Sequence, residues 1–339
     1  MPTRARSQGP FRRGGAGRFL LVGLLVVAVA LAAMVVGLNV LFGRRVGPIP
    51  AAEGCEATVG GVAVDLSTEQ AENATLISAI AVRRGLPARA ASIALATAFQ
   101  ESKLRNLDNG DRDSLGLFQQ RPSQGWGTAA QIRDPVYATN RFYDALVRVT
   151  GYRTMRITEA AQRVQHSGYP EAYDVHAADS KALASALTGN SPRRFSCVVH
   201  GAGGLPTQRA GTDGLTPRAE KVRHSLARAF GALALGGFAP GGVTTGHMKG
   251  SAHYDGRAVD VFVRPVGPAN KRKGWAIAAY LVAHASRLHV EHVIFDGRIW
   301  SAGSTSEQGW RTYTPPETSG SRVVLEHRDH VHVDVAAGG

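Results

Sequence analysis

Two histidine clusters constrain this chain more than any other feature: Ser251-Ala252-His253-Tyr254-Asp255-Gly256-Arg257-Ala258-Val259-Asp260, and the tail His327-Arg328-Asp329-His330-Val331-His332-Val333-Asp334. In the tail, Val331, Val333 and Val335 alternate with His330, His332 and Asp334. A period of two reads as a strand with the valines on one face and the polar side chains on the other. Tyr254-Asp255-Gly256 reads as a turn, and Ala258 to Val263 as a second strand carrying Asp260. Two imidazole nitrogens and a carboxylate oxygen brought together in this way form a set that can hold zinc. Three protein ligands leave the fourth tetrahedral position to water, which distinguishes a catalytic zinc from a structural one. Twelve histidines occur in the chain, so a lone one would be read as a surface residue. Two spaced clusters in one predicted domain argue for a site.

The rest of this region reads as α+β. Trp275, Ala278, Leu281, Val282, Ala285 and Leu288 follow a helical period, and Val293-Ile294-Phe295, Asp296-Gly297 and Arg298-Ile299-Trp300 read as a hairpin on a favoured two-residue turn. His284, His289 and His292 are expected to be surface or satisfied core residues rather than ligands. The pattern Ser-x-His-x-x-Gly-x-Ala-x-Asp at Ser251, His253, Gly256, Ala258 and Asp260 resembles the signature of the zinc D-Ala-D-Ala peptidases, which share a fold with the hedgehog signalling domain. That resemblance implies a zinc peptidase-like domain over 215–339, with Zn2+ on His253, Asp260 and His332. It leaves two choices of base. Some members use a glutamate three residues before the last ligand, where this chain has Asp329. Others use a histidine, and the spacing His327-x-x-His330-x-His332 fits that version through His330.

Towards the N-terminus, Phe19 to Phe42 runs without a charge and is long enough to cross a bilayer as a helix. Arg4, Arg6, Arg12, Arg13 and Arg18 precede it, and only Arg44 and Arg45 follow closely. The positive-inside rule then puts residues 1–18, a basic tail, in the cytoplasm and everything after the helix outside. A cleaved signal peptide is the competing reading, because Ala28-Val29-Ala30 offers a small-residue site. Cys55 and Cys197 are the only cysteines, and an oxidising exterior predicts a disulfide between them. The net charge of +13 suits an anionic partner such as an acidic cell wall. No helix-turn-helix, zinc-finger or stacking motif points to nucleic acid.

Between the cysteines, residues 55–198 read as an all-α domain. Ser67 with Gln70 makes a capping box for a helix that Gly85 ends. Pro87 opens a second helix running to Glu101-Ser102. Asp134-Pro135 starts a third, and Thr158 a fourth that ends near Gly168. Glu101, at a helix end near Phe99 and Phe118, is placed for desolvation, which raises a carboxyl pKa and suits a general acid. Asp108, Asp111 and Asp113 read as a solvated turn. Glu101-Ser102 followed by Gly116-Leu117-Phe118-Gln119-Gln120 resembles the lysozyme-like fold of soluble lytic transglycosylases and goose-type lysozymes. Gln165-His166-Ser167-Gly168 departs from the Tyr-Asn-x-Gly-like segment of those families. The resemblance implies a Glu101 acid acting on a glycan. Residues 199–214 have the composition of a flexible linker.

Together these readings predict a membrane-anchored, extracytoplasmic enzyme acting on peptidoglycan, with a glycan-cleaving domain and a zinc peptidase domain. A non-catalytic peptidoglycan-binding or scaffold protein that keeps both pockets is the alternative.

Overall fold

The computed structural model describes residues 25, 27–34, 51–167, 169, 171–316 and 320–339. The chain divides into Met1–Pro50 and Ala51–Gly339. In the first unit residues 25 and 27–34 are helical. The basic tail and the remainder of the expected Phe19–Phe42 span lie outside the described residues, among which no helix is long and apolar enough to cross a membrane.

The second unit begins with a hairpin, β1 (Gly54–Val59) and β2 (Val62–Leu66). Gly60 and Gly61 turn it with φ of 59° and 83°, the left-handed pair that a tight hairpin turn requires. Helix α1 (Thr68–Arg83) follows, and its capping box forms as the sequence predicts, with Ser67 Oγ accepting from Gln70 N and Gln70 Oε1 from Ser67 N. Next come α2 (Ala88–Ser102), α3 (Ala129–Arg133), α4 (Pro135–Leu146), α5 (Ile157–Gln165) and α6 (Ala177–Leu187). Strand β3 (Phe195–Val198) then pairs with β1, giving a three-stranded antiparallel sheet of order β2-β1-β3. The all-α expectation for 55–198 omits this sheet. Its strands are short and lie at the two ends of the region, so no local pattern in either announces the pairing. Cys55 and Cys197 stand opposite each other on β1 and β3 and form the expected disulfide.

The remaining chain forms α7 (Pro217–Phe230), β4 (Leu235–Gly236), β5 (Ala258–Phe262), α8 (Pro268–Ala283), α9 (Ala285–Leu288), β6 (Val290–Phe295), β7 (Arg298–Ser301), β8 (Arg311–Thr312), α10 (Arg322–Leu325) and β9 (His330–Val335). Strands β4 to β9 make one antiparallel sheet of order β4-β5-β9-β6-β7-β8. Val259 and Val261 of β5, Val293 and Phe295 of β6, and Val331, Val333 and Val335 of β9 are all buried on one face, against α7 and α8. The opposite face carries the polar alternates.

Helix α1 joins the two halves. It packs against α2 and α4 on the helical side and against α7 and α8 on the other, and every residue from Ala71 to Ala81 except Glu72 is buried. Such a helix needs small or internally satisfied side chains all round. Ser78 Oγ donates to Ala74 O at 2.9 Å, Thr75 Oγ1 to Ala71 O at 2.8 Å, and Asn73 Nδ2 to Leu104 O at 2.8 Å. Polar groups with partners can be buried without the penalty an orphaned one carries. Trp300 and Trp310 of the large-sheet region donate their indole N–H groups to Cys197 O and Phe195 O at 3.1 and 2.9 Å. Gly189 approaches α8 so closely that a Cβ there would lie 2.0 Å from Arg272 O. His284, buried at this junction, donates from Nδ1 to Tyr280 O at 2.8 Å, and burial pushes its pKa down to about 3. It is a satisfied core histidine, as expected.

Residues 199–214 are not free of the body. Val199 is buried and exchanges hydrogen bonds with Ser306 Oγ and Gly303 N, Arg218 donates to Pro206 O at 2.6 Å, and Gly339 N donates to Leu205 O at 2.8 Å. Glycine-rich composition identifies a segment without helix or strand, but it does not exclude packing through backbone groups.

The disulfide closes a sequence separation of 142 residues, for which the chain-entropy relation gives about 5 kcal/mol as an upper figure. The double substitution Cys55→Ser/Cys197→Ser is expected to lower unfolding stability by up to that amount in denaturant titration. An unchanged midpoint would show that the staple contributes nothing to the folded body.

Candidate functional site

The register of the large sheet assembles the site. Asp260 on β5 stands opposite His332 on β9, and Phe262 opposite His330. On the other side of β9, Ile294 of β6 faces His332, and His292 faces Asp334. His330, His332 and Asp334 therefore project from one face into a cleft of about 640 Å³. His253 enters it from the Ser251–Gly256 turn. Gly237 makes room for that ring, since a Cβ there would lie 2.2 Å from His253 Cε1.

Three atoms converge in the cleft. His253 Nε2 lies 3.2 Å from Asp260 Oδ1 and 3.1 Å from His332 Nδ1, and His332 Nδ1 lies 3.1 Å from Asp260 Oδ1. All three residues are buried. The other nitrogen of each ring is engaged outside the triangle: His253 Nδ1 donates to Gly237 O at 2.7 Å, and His332 Nε2 to Asp334 Oδ2 at 3.2 Å. Asp334 is itself held by His292 N at 3.1 Å and His292 Nδ1 at 3.0 Å. With neutral rings, two lone pairs and a carboxylate oxygen face one another at about van der Waals distance. Such an arrangement needs a positive charge among its members. Of the three, His332 has the partners that favour it. Burial disfavours its imidazolium, but the bonds to Asp260 and Asp334 outweigh burial and push its pKa up to about 9. Likewise burial alone would raise the Asp260 carboxyl, and the bonds from His253 and His332 hold it well below the usual carboxylate range.

The donor set fits zinc. Tetrahedral bonds of about 2.0–2.1 Å place ligand atoms about 3.3 Å apart, close to the observed triangle. A ring whose remote N–H is fixed by a carboxylate or carbonyl is the usual outer-shell support for a metal-bound histidine. The expected ligands His253, Asp260 and His332 are thus brought together.

The two candidate bases are placed differently. Both carboxylate oxygens of Asp329 are occupied, Oδ1 by His330 Nδ1 at 2.8 Å and Oδ2 by the Arg264 guanidinium at 2.7 Å. Asp329 does not line the cleft, whereas His330 does. The His330 Nε2 lies 3.8 Å from Asp260 Oδ1. Of the two, His330 is the one that faces the cleft, and the Asp329 carboxylate is placed to orient it. His327 also lines the cleft, and burial, then its neighbours His332 and His330, push its pKa down to about 3.

Two cleft residues escape the sequence reading. His292, expected as a surface or satisfied core residue, is satisfied by Asp334 but stands on the cleft face. Its alternation with Val293 was legible, but not which face of β6 meets the cleft. His247 stacks on His253 with ring centroids 3.9 Å apart and an interplanar angle of 20°. It sits in a glycine-rich segment without helix or strand, and its one signal is a histidine six positions before His253.

Glu101 occupies the last turn of α2. Ser102 Oγ donates to Leu117 O at 2.7 Å, and Gln165 Nε2 to Phe118 O at 2.8 Å. These two bonds tie the Gly116–Gln120 segment to the helices beside Glu101. Leu117 and Phe118 are fully buried, with Phe118 stacked on Phe142 at 4.6 Å. The Tyr173 hydroxyl donates to Glu101 Oε1 at 2.7 Å. Burial raises the Glu101 pKa, and the hydrogen bonds from Tyr173 and Gln165 only partly oppose it. Asp108 and Asp111 are exposed, and Asp113 is bound by Arg121 Nε at 2.6 Å and Ser123 N at 2.9 Å. They form a polar turn, as expected.

Residues 211–322 match the family described as VldE, C-terminal domain. The match spans about a third of the chain, including His253 and Asp260 but ending before His330 and His332. No curated protein matches the chain.

A carboxyl whose folded pKa is raised favours the folded state below its unfolded pKa and loses that contribution as pH rises through the folded value. Glu101→Gln removes the cost of ionising this site. The variant is expected to gain thermal stability over the parent as pH rises from 4 to 7, with the difference closing at the acid end. The opposite trend in melting curves would mean that the carboxylate is stabilised rather than desolvated.

Proposed function

We propose that this chain is a membrane-anchored, extracytoplasmic peptidoglycan hydrolase with a zinc peptidase site at His253, Asp260 and His332 and a glycan-cleaving site at Glu101. The observation that carries the metal reading is the triangle of acceptor atoms at 3.1–3.2 Å whose remote ring nitrogens are already committed. His253, Asp260 and His332 would hold the zinc, which would supply a Lewis acid for the scissile carbonyl and a water of pKa lowered to about 7. His330, oriented through Nδ1 by Asp329, presents Nε2 to the cleft and takes the proton from that water. Arg264, clamped on Asp329 and lying over the Phe262 ring at 4.2 Å, fixes the pair.

In the helical half, burial favours the protonated form of Glu101, which would give its proton to the leaving glycosidic oxygen. Peptidoglycan offers both a glycan and a peptide bond, so a single polymer accounts for both sites. The anchor at Phe19–Phe42 would hold the body on the side of the membrane where that polymer lies, and the disulfide suits the same oxidising compartment. The basic composition suits an anionic wall.

Digestion of purified wall with the full chain, followed by mass identification of the fragments, separates the two chemistries. Glu101→Gln should lower glycan cleavage by at least about 10²-fold and leave peptide products. His332→Ala should abolish peptide products and bound zinc while glycan products persist. Wall binding without any fragments would instead support the non-catalytic scaffold. Zinc retained by His332→Ala with peptide cleavage at the parent rate would remove the metal assignment.

A further inference from the structure

His247 has no role in the chemistry above, yet it stands beside the proposed ligands. One ring nitrogen of His247, one of His253 and a carboxylate oxygen of Asp260 lie within 4.8 Å of one another. Its ring stacks on that of His253, with centroids 3.9 Å apart and an interplanar angle of 20°. The backbone around it is held at one point: His247 N donates to the Tyr254 hydroxyl at 3.1 Å, and that hydroxyl donates back to His247 O. Tyr254 directly follows His253, so the same turn carries a ligand and the latch for this loop.

The flanks of the loop are rich in glycine. Gly241, Gly242, Gly246 and Gly250 all have positive φ, between 78° and 87°, and a Cβ at any of them would meet nothing within 4 Å. The left-handed backbone, and not close packing, accounts for glycine at these positions. Thr244, Thr245 and Gly246 are exposed, whereas His247 is half-buried. An exposed, glycine-hinged loop that buries one imidazole against a metal-ligand set does more than fill space, because an aliphatic side chain would cover His253 without adding a nitrogen.

We infer that His247 is a displaceable fourth ligand of the metal centre. With the loop inward, His247 completes a four-residue set with His253, Asp260 and His332. With the loop outward, the fourth position opens to water and substrate. A four-protein-ligand site is closed and a three-ligand site is open, so movement of this loop switches the centre between resting and competent states. An enzyme tethered beside its own substrate polymer has a use for such a resting state. The inference rests on the zinc reading proposed above and adds the residue that controls access to it.

The test uses the full chain loaded with Zn2+ and reads coordination instead of turnover. X-ray absorption should count three imidazoles on the zinc in the parent and two in His247→Ala. Competition with a chelator should show zinc affinity weakened by at least about ten-fold in that variant. His247→Gln, which keeps a polar side chain of similar length on the loop, repeats the measurement if the alanine variant folds poorly. Tyr254→Phe frees the loop but keeps the imidazole, and should fall between parent and His247→Ala in affinity. Two imidazoles and equal zinc affinity in parent and His247 variants would overturn the fourth-ligand role while leaving the three-residue centre in place. A parent that binds no zinc would remove the centre and this inference together.

Discussion

The pairing of β5 with β9 is the constraint on which the rest of this structure depends. Side chains alternate faces along a strand, so a slip of one residue would move Asp260 and His332 into the apolar layer and send Val259 and Val333 into the cleft. The register observed, Asp260 opposite His332, is enforced from the other side by the valines buried against α7 and α8. Packing of the apolar face thus fixes the geometry of the polar one. The cleft inherits its precision from a hydrophobic layer that never touches it.

The same layer reaches the helical half. Helix α8 backs the large sheet on one side and meets α1 on the other, and α1 carries α2, whose last turn bears Glu101. The disulfide clasps β1 to β3, and β3 receives the indole bonds of Trp300 and Trp310. Both candidate sites are therefore built on one continuous core. Two domains on a flexible tether could reach different parts of a polymer independently; sites fixed to a shared core are held in a constant relation. Buried contacts of this kind also couple the stability of the two halves, so a cavity opened in α1 is felt on both sides.

Much of this was legible because it is written in local pattern. The capping box at Ser67 and Gln70, the start at Asp134-Pro135, the alternation through His330–Val335 and the Asp-Gly turn of the β6–β7 hairpin depend on residues close in sequence, and each forms as read. The cysteine pair was legible through elimination, being the only two. What the sequence did not disclose is relational. The partnership of β1 with β3 joins segments far apart in the chain, and neither strand has enough alternating positions to declare itself. Asp329 and His330 are adjacent in sequence and both chemically able to act as base, but only the folded chain shows Asp329 paired with Arg264 and His330 facing the cleft. His247 lies in a segment with no periodicity, so its place beside His253 is visible only once the loop is folded. Residues 199–214 read as a flexible linker from their composition, although their backbone is bound to the body.

The central claim is that His253, Asp260 and His332 form a metal centre. Anomalous scattering at the zinc edge from a crystal of the protein grown with zinc tests it most directly. The account predicts one strong peak in the cleft, about 2.0–2.2 Å from His253 Nε2, Asp260 Oδ1 and His332 Nδ1. A cleft without a peak, or a peak held only by Glu291, His292 and Asp334 on its neighbouring wall, would contradict it.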